Sequence, residues 1–95
     1  MVVSMGDRPY LDTHKSPHNF TRVFPQTVNT EDLEWHRDYY NRTVTVISGS
    51  KWKFQHDNDI PFELTEGMTF QIKAGEYHRL IKGSGQLMVE IVEHP

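Results

Sequence analysis

The sequence predicts an all-β domain, either a β-sandwich or a small barrel. From residue 42 onward, β-branched and aromatic residues alternate with polar ones in short runs. Turn-forming residues separate these runs at roughly 8–12-residue intervals, a spacing typical of sandwiches and barrels. The chain has 95 residues, enough for one domain with a small core.

The first part of the chain lacks this alternation. Residues 1–19 are polar and include Pro9 and Pro17, so we predict an extended N-terminal arm ahead of a barrel formed by residues 20–95. Residues 28–33 fit either a single helical turn or an irregular lead-in to a strand.

Six or seven strands are predicted in the remainder. The clearest are residues 42–48, 51–55, 62–64, 68–73, 77–81 and 86–92. The segments between them, such as 56–61 and 82–85, are rich in turn-forming residues.

Strand parity predicts which side chains face inward, because residues two apart on a strand share a face. If the strand extends back without a bulge, the side chains that share the face of Val44 and Val46 are His36, Asp38, Tyr40 and Arg42. Trp52 and Phe54 fit an inward face on the next strand, where they either line a ligand pocket or belong to the core.

His36, Asp38 and His78 together offer two imidazoles and a carboxylate, the ligand set of a facial metal triad with open positions. Arg42 opposes this interpretation, because a cation close to a divalent metal is unfavourable. In the alternative, Asp38 and Arg42 form an ion pair in a metal-free pocket. Arg42 can also bind an anionic substrate beside a metal.

Two motifs resemble those of the cupin superfamily. The first cupin motif is commonly G-x5-H-x-H-x3,4-E-x6-G, and here the spacing is kept by His36, Asp38, Arg42 and Gly49. Asp38 stands at the second His, Arg42 at the Glu, and the leading Gly is absent. The second motif, commonly G-x5-P-x-G-x2-H, is matched by Gly67, Gly75 and His78, with Lys73 in place of Pro.

The resemblance covers residues 34–81 and implies a small cupin-type jelly-roll barrel with a site in its mouth. It suggests a divalent transition metal, Fe, Mn, Ni, Co or Zn, held by His36, Asp38 and His78. Tyr40, Arg42 and Trp52 are the candidate substrate-binding residues. One hypothesis is a metal-dependent enzyme of oxygenase or isomerase type. The other is a non-catalytic cupin that binds a small anionic ligand or serves as an accessory module, and the sequence leaves open whether the protein is an enzyme.

The charge and composition of the chain limit the classes of partner that we expect for it. The net charge of −3 and the lack of a basic run argue against a nucleic-acid binder. No stretch is long and apolar enough for a membrane span, and the N-terminus does not resemble a signal peptide, so a cytoplasmic protein is expected. The absence of Cys excludes thiolate chemistry. We expect a small-molecule ligand and a homodimer, which would add buried surface to a small core.

Overall fold

The computed structural model describes residues 8–95. It contains eight strands and one short 3-10 helix, Thr30–Asp32. The strands are β1 (Leu11–Ser16), β2 (Asn19–Phe24), β3 (Asn41–Ser50), β4 (Lys53–His56), β5 (Phe62–Glu63), β6 (Thr69–Ile72), β7 (His78–Ile81) and β8 (Ser84–His94). The prediction of an all-β domain is confirmed. No helix in the described part of the chain is long and apolar enough to cross a membrane.

Two antiparallel sheets face each other. One has five strands in the order β1-β2-β8-β3-β6, and the other has three in the order β5-β4-β7. Side chains alternate between the two faces of each central strand, so that one face of the strand is buried between the sheets. Val44 and Val46 of β3 are buried beside Val89 and Ile91 of β8, and Trp52 and Leu64 are almost fully enclosed between the sheets. Burial of these apolar side chains is the main stabilising term of the fold.

The N-terminal part of the chain differs from the predicted arm. Residues 1–7 lie outside the described residues, but Leu11–Ser16 forms an edge strand that pairs with β2. A two-pronged ion pair links the strands, because Asp12 accepts hydrogen bonds of 2.8 and 2.9 Å from Nε and Nη2 of Arg22. Most side chains of β1 are exposed, so the strand lacks the apolar alternation that would have identified it.

The segment before β3 is not a regular strand. The chain bends at residues 39–40, and β3 begins only at Asn41. Residue 36 nevertheless joins the smaller sheet, since His36 and His78 exchange backbone N–H···O hydrogen bonds of 3.0 and 2.9 Å. This bridge brings the two histidines side by side.

The two sheets meet where the turns at residues 50–52 and 82–83 cross. A Cβ atom at Gly83 would collide with the backbone of Lys51 and its two neighbours. The close approach of the two backbones therefore requires glycine at position 83.

Replacing Gly83 by Ala should destabilise the fold by about 1–3 kcal/mol, the usual cost of overpacking, because backbone atoms cannot move aside as a side chain can. Gly85→Asn is the control. Gly85 has φ +65° with no atom within 4 Å of an added Cβ, and Asn tolerates that conformation. Urea unfolding of both variants tests this, and an equal free energy of unfolding for the two would contradict the predicted clash.

Candidate metal centre

Three side chains converge at one end of the space between the sheets. The ligand atoms of His36, Asp38 and His78 all lie within 4.8 Å of one another. The two Nε2 atoms are 3.0 Å apart. Nε2 of His78 lies 3.1 Å from Oδ2 of Asp38, and Nε2 of His36 lies 3.9 Å from Oδ1.

Different parts of the fold hold the three residues. His78 opens β7 and is 2% exposed, with its ring stacked on Phe54 at a centroid distance of 5.4 Å. His36 lies on the irregular segment before β3 and is more exposed, but its backbone is fixed by the bridge to β7. Asp38 follows two residues later, and its side chain is 8% exposed.

Backbone carbonyls determine which ring nitrogens carry protons. Nδ1 of His36 contacts the carbonyl oxygen of Glu34 at 3.1 Å, and Nδ1 of His78 contacts that of Glu76 at 2.9 Å. A carbonyl oxygen only accepts, so each Nδ1 must be the donor. In the neutral rings each Nε2 then carries a bare lone pair, and the two lone pairs face each other.

The carboxylate adds a third acceptor to this group. Oδ2 of Asp38 is buried and has no hydrogen-bond partner among residues 8–95. Oδ2 lies 3.1 Å from Nε2 of His78. When the only ring proton of His78 is on Nδ1, both of these atoms are acceptors, and no hydrogen bond forms between them. A buried acceptor without a partner typically costs about 1–3 kcal/mol. Two imidazole nitrogens and a carboxylate oxygen therefore need a shared cation, which is either a proton or a metal ion.

The arrangement fits a metal ion. Metal bonds to imidazole nitrogen or carboxylate oxygen are about 2.0–2.2 Å, so two ligand atoms of one ion lie within about 4.4 Å of each other. The two Nε2 atoms, and Nε2 of His78 with Oδ2 of Asp38, satisfy this limit at 3.0 and 3.1 Å. With one ligand atom taken from each residue the three atoms lie within 4.8 Å, so a small adjustment of His36 or Asp38 completes the site. A ligating histidine also usually donates its other ring N–H to a carbonyl or carboxylate, as both histidines do here.

Arg42 does not occupy the proposed ligand position. Its Nη1 lies 3.3 Å from Oδ1 of Asp38, the oxygen that approaches His36, and leaves Oδ2, the oxygen that contacts His78, without an arginine contact. Its Nε and Nη2 donate to Oε2 of Glu93 at 3.1 and 2.8 Å. The two carboxylates outnumber the one guanidinium, so this part of the site keeps a net negative charge, which favours a bound cation.

The pKa shifts of His36 and Asp38 favour the protonation states that bind a metal ion. Burial lowers the pKa of His36, aided by the nearby His78, and this outweighs the hydrogen bond to Glu34. Burial would raise the pKa of Asp38, but a hydrogen bond from Nε2 of His78, formed when that ring carries both protons, and the charge of Arg42 outweigh it and hold the pKa below its usual value. A neutral imidazole and an ionised carboxylate are the forms that bind metals.

The three side chains border a cavity of about 350 Å³ that is partly open to solvent. This volume lies within the usual range for small-molecule sites. The wall is mostly apolar and includes Phe54, Phe70, Leu87 and Ile91. The space beside the histidines can therefore admit a small molecule.

Two predicted substrate-binding residues lie elsewhere. Trp52 is fully buried in the core, where its Nε1 donates to the carbonyl of Gly85 at 3.3 Å, and it does not border the cavity. Tyr40 also lies off the cavity, with its ring edge-on to His18. The bend at residues 39–40 breaks the parity on which its inward position was predicted. Arg42 does border the cavity.

Glu93 is the site residue that sequence reasoning missed. Its side chain is 14% exposed and holds the guanidinium of Arg42. A signal was present, because Glu93 continues the inward parity of Leu87, Val89 and Ile91 on the last strand.

Solved structures identify the fold. DMSP lyase DddQ from Ruegeria pomeroyi superposes with a TM-score of 0.76 at 12% identity, covering 100% of this chain and 51% of that one. A cupin domain from Bordetella pertussis gives 0.60 at 19% identity, covering 93% and 97%. The chain has the cupin fold.

Iron(II) HppE, crystallised with its substrate, also matches this cupin barrel. The TM-score is 0.65 at 18% identity, over 90% of this chain and 52% of that one. The barrel thus spans about half the length of both enzymes, DddQ and HppE. No protein-family profile matches the sequence, and no curated protein matches it.

Arg42→Gln should lower the free energy of unfolding by about 3–5 kcal/mol, because it leaves two mostly buried carboxylates without their cation. Arg79→Gln is the control, since Arg79 contacts only Gln55 and the Trp35 ring among the described residues. Urea unfolding of metal-free protein measures both. If both variants lose the same free energy of unfolding, Arg42 does not stabilise the fold by neutralising Asp38 and Glu93.

Acid should weaken the fold partly through Glu93. Burial would raise the pKa of Glu93, but hydrogen bonds from Arg42 and His18 outweigh it and keep that pKa below normal. The resulting stabilisation is complete above the unfolded-state pKa of about 4.3 and is lost as the pH falls through the folded-state value. Glu93→Gln should therefore flatten the acid limb of stability against pH, and an unchanged limb would contradict this.

Proposed function

We propose that this cupin barrel binds one divalent transition metal ion through Nε2 of His36, Nε2 of His78 and a carboxylate oxygen of Asp38, and acts on a small molecule in the adjoining cavity. The observation that supports this most directly is the convergence of three acceptor atoms, one of them a buried oxygen without a hydrogen-bond partner among residues 8–95. Fe(II), Mn(II), Co(II), Ni(II) and Zn(II) all accept such ligands.

Three protein ligands would leave further coordination positions of the ion to water or a substrate. When bound, the ion would supply Lewis acidity or, for iron, redox chemistry towards a coordinated substrate. The chain itself orients the ligands, because the carbonyls of Glu34 and Glu76 fix both imidazole rings and Arg42 fixes one oxygen of Asp38. The apolar cavity wall limits access of water to the open positions.

The reaction we propose is metal-dependent chemistry on a small organic molecule, of the oxygenase or isomerase type. Two observations support an enzyme: a ligand set of only three side chains, and a cavity beside it large enough for a substrate. The shared fold with iron(II) HppE makes Fe(II) a reasonable first ion to test.

A second candidate is a metal-free cupin that binds a small ligand without catalysis. The 3.3 Å contact between Asp38 and Arg42 favours it, because it partly neutralises the carboxylate without any metal. In that case one imidazole would hold a proton between the two Nε2 atoms. The two candidates differ in whether the protein retains stoichiometric metal.

Untagged protein loaded separately with each of the five ions under anaerobic conditions, then freed of excess ion by gel filtration, should retain about one ion per chain. His36→Ala and His78→Ala should each weaken binding by about 100-fold or more while remaining folded, because each removes a ligand. His94→Ala is the matched control, since His94 is exposed and bonds only to Thr43 among the described residues.

Elemental analysis and the melting temperature are the two readouts. Metal retained by wild type and His94→Ala but lost from both ligand variants supports the site. Folded wild-type protein that retains none of the five ions, or ligand variants that retain as much as wild type, contradicts it.

A further inference from the structure

A second polar group borders the same cavity, on the wall formed by the five-stranded sheet. Arg22 of β2 is 7% exposed, and it lines the cavity together with Phe24 and Val89. Sequence reasoning did not single it out, although it shares the inward parity of Phe20 and Phe24. A guanidinium in a largely apolar wall is costly unless its donors are used.

Only part of the guanidinium is used by the protein. Asp12 accepts from Nε and Nη2, which fixes the plane and direction of the group. The Tyr10 ring covers one face, with the guanidinium carbon 3.6 Å from its centroid. Nη1 has no hydrogen-bond partner among residues 8–95, so one edge of a rigidly held cation remains able to donate.

Arg42 is in the opposite condition, although both arginines flank the Phe20 ring. Their guanidinium carbons lie 5.2 Å (Arg22) and 5.9 Å (Arg42) from its centroid. All three nitrogens of the Arg42 guanidinium contact Glu93 or Asp38. Binding of an anionic group by Arg42 is opposed by Asp38 and Glu93, two carboxylates that already neutralise its charge and would repel a third. Arg22 has one carboxylate partner and an Nη1 without a hydrogen-bond partner among residues 8–95.

We propose that Arg22 binds the carboxylate of a small ligand through Nη1, while the apolar body of the ligand packs against the cavity wall beside Phe24 and Val89. Arg22 and the histidine cluster border the same cavity, whose wall is mostly apolar but also includes Arg8, Asp32 and Glu34. This assigns the ligand class as a small monocarboxylate with an apolar chain. The binding is independent of metal, so it can be measured when the histidine cluster is empty.

The test uses the full chain, stripped of metal with a chelator that is then removed by dialysis. Hexanoate and hexanol, which share an apolar chain and differ in the head group, are titrated while two-dimensional NMR follows the backbone amides and the Arg22 Nε–H. Hexanoate should bind about tenfold more tightly than hexanol, the value of one hydrogen bond to a charged group, and should shift the Arg22 Nε–H signal.

Two variants separate a binding role from a purely structural one. Arg22→Gln should abolish the preference for hexanoate, whereas Arg79→Gln, which removes a cation outside the cavity, should keep it. Asp12→Asn removes the negative charge that neutralises the Arg22 guanidinium. Because the guanidinium then attracts an anion more strongly, hexanoate should bind more tightly. If Arg22 serves only to hold β1, Asp12→Asn and Arg22→Gln should both lower the melting temperature with no change in the preference.

The proposal is overturned if folded wild-type protein binds hexanoate no better than hexanol, or if Arg22→Gln keeps the wild-type preference. Because no metal is present, these outcomes are distinct from failure of the metal site. If the protein retains metal but does not prefer hexanoate, only the proposed role of Arg22 is refuted. If it prefers hexanoate but retains no metal, only the proposed metal site is refuted.

Discussion

The functional end of this barrel depends on the way two backbone carbonyls orient two imidazole rings. Glu34 and Glu76 each accept from Nδ1 of a histidine two residues further on, so both Nε2 atoms point into the same space. The bridge between residues 36 and 78 sets their separation, and Asp38 adds a buried oxygen. Electrostatics make this arrangement of three acceptors unfavourable unless a cation lies among them, and the rest of the site can be understood from that requirement.

Arg42 is compatible with the cation because the fold gives it two carboxylates. Glu93, at the end of β8, accepts hydrogen bonds from Nε and Nη2, and one oxygen of Asp38 contacts Nη1. A cation at the position where the cupin motif commonly has Glu is therefore neutralised locally. Arg22 is held by Asp12 in a similar way, through Nε and Nη2. Its Nη1 has no hydrogen-bond partner among residues 8–95. The two arginines thus differ in the number of their carboxylate partners, one for Arg22 and two for Arg42.

Much of the fold could be predicted from alternation, because β3 and β8 bury one face and expose the other. The edge strand β1 could not, since its side chains are mostly exposed and it is joined to β2 by backbone pairing and the Asp12–Arg22 ion pair rather than by apolar alternation. Parity correctly placed Arg42 inward but failed for Tyr40, because the chain bends at residues 39–40. Glu93 and Arg22 had the right parity to be noticed, but a single charged residue within an apolar strand is easily taken for a surface position.

The account is tested most directly by the protonation and metal contacts of the two imidazole rings. Nitrogen-15 NMR of the zinc-loaded protein, with both histidines assigned, reports each ring nitrogen separately. We predict that Nδ1 of His36 and of His78 keeps its proton while both Nε2 signals move to the metal-bound position. A proton on either Nε2, or zinc bound through an Nδ1, would contradict the carbonyl-directed arrangement on which the proposed function rests.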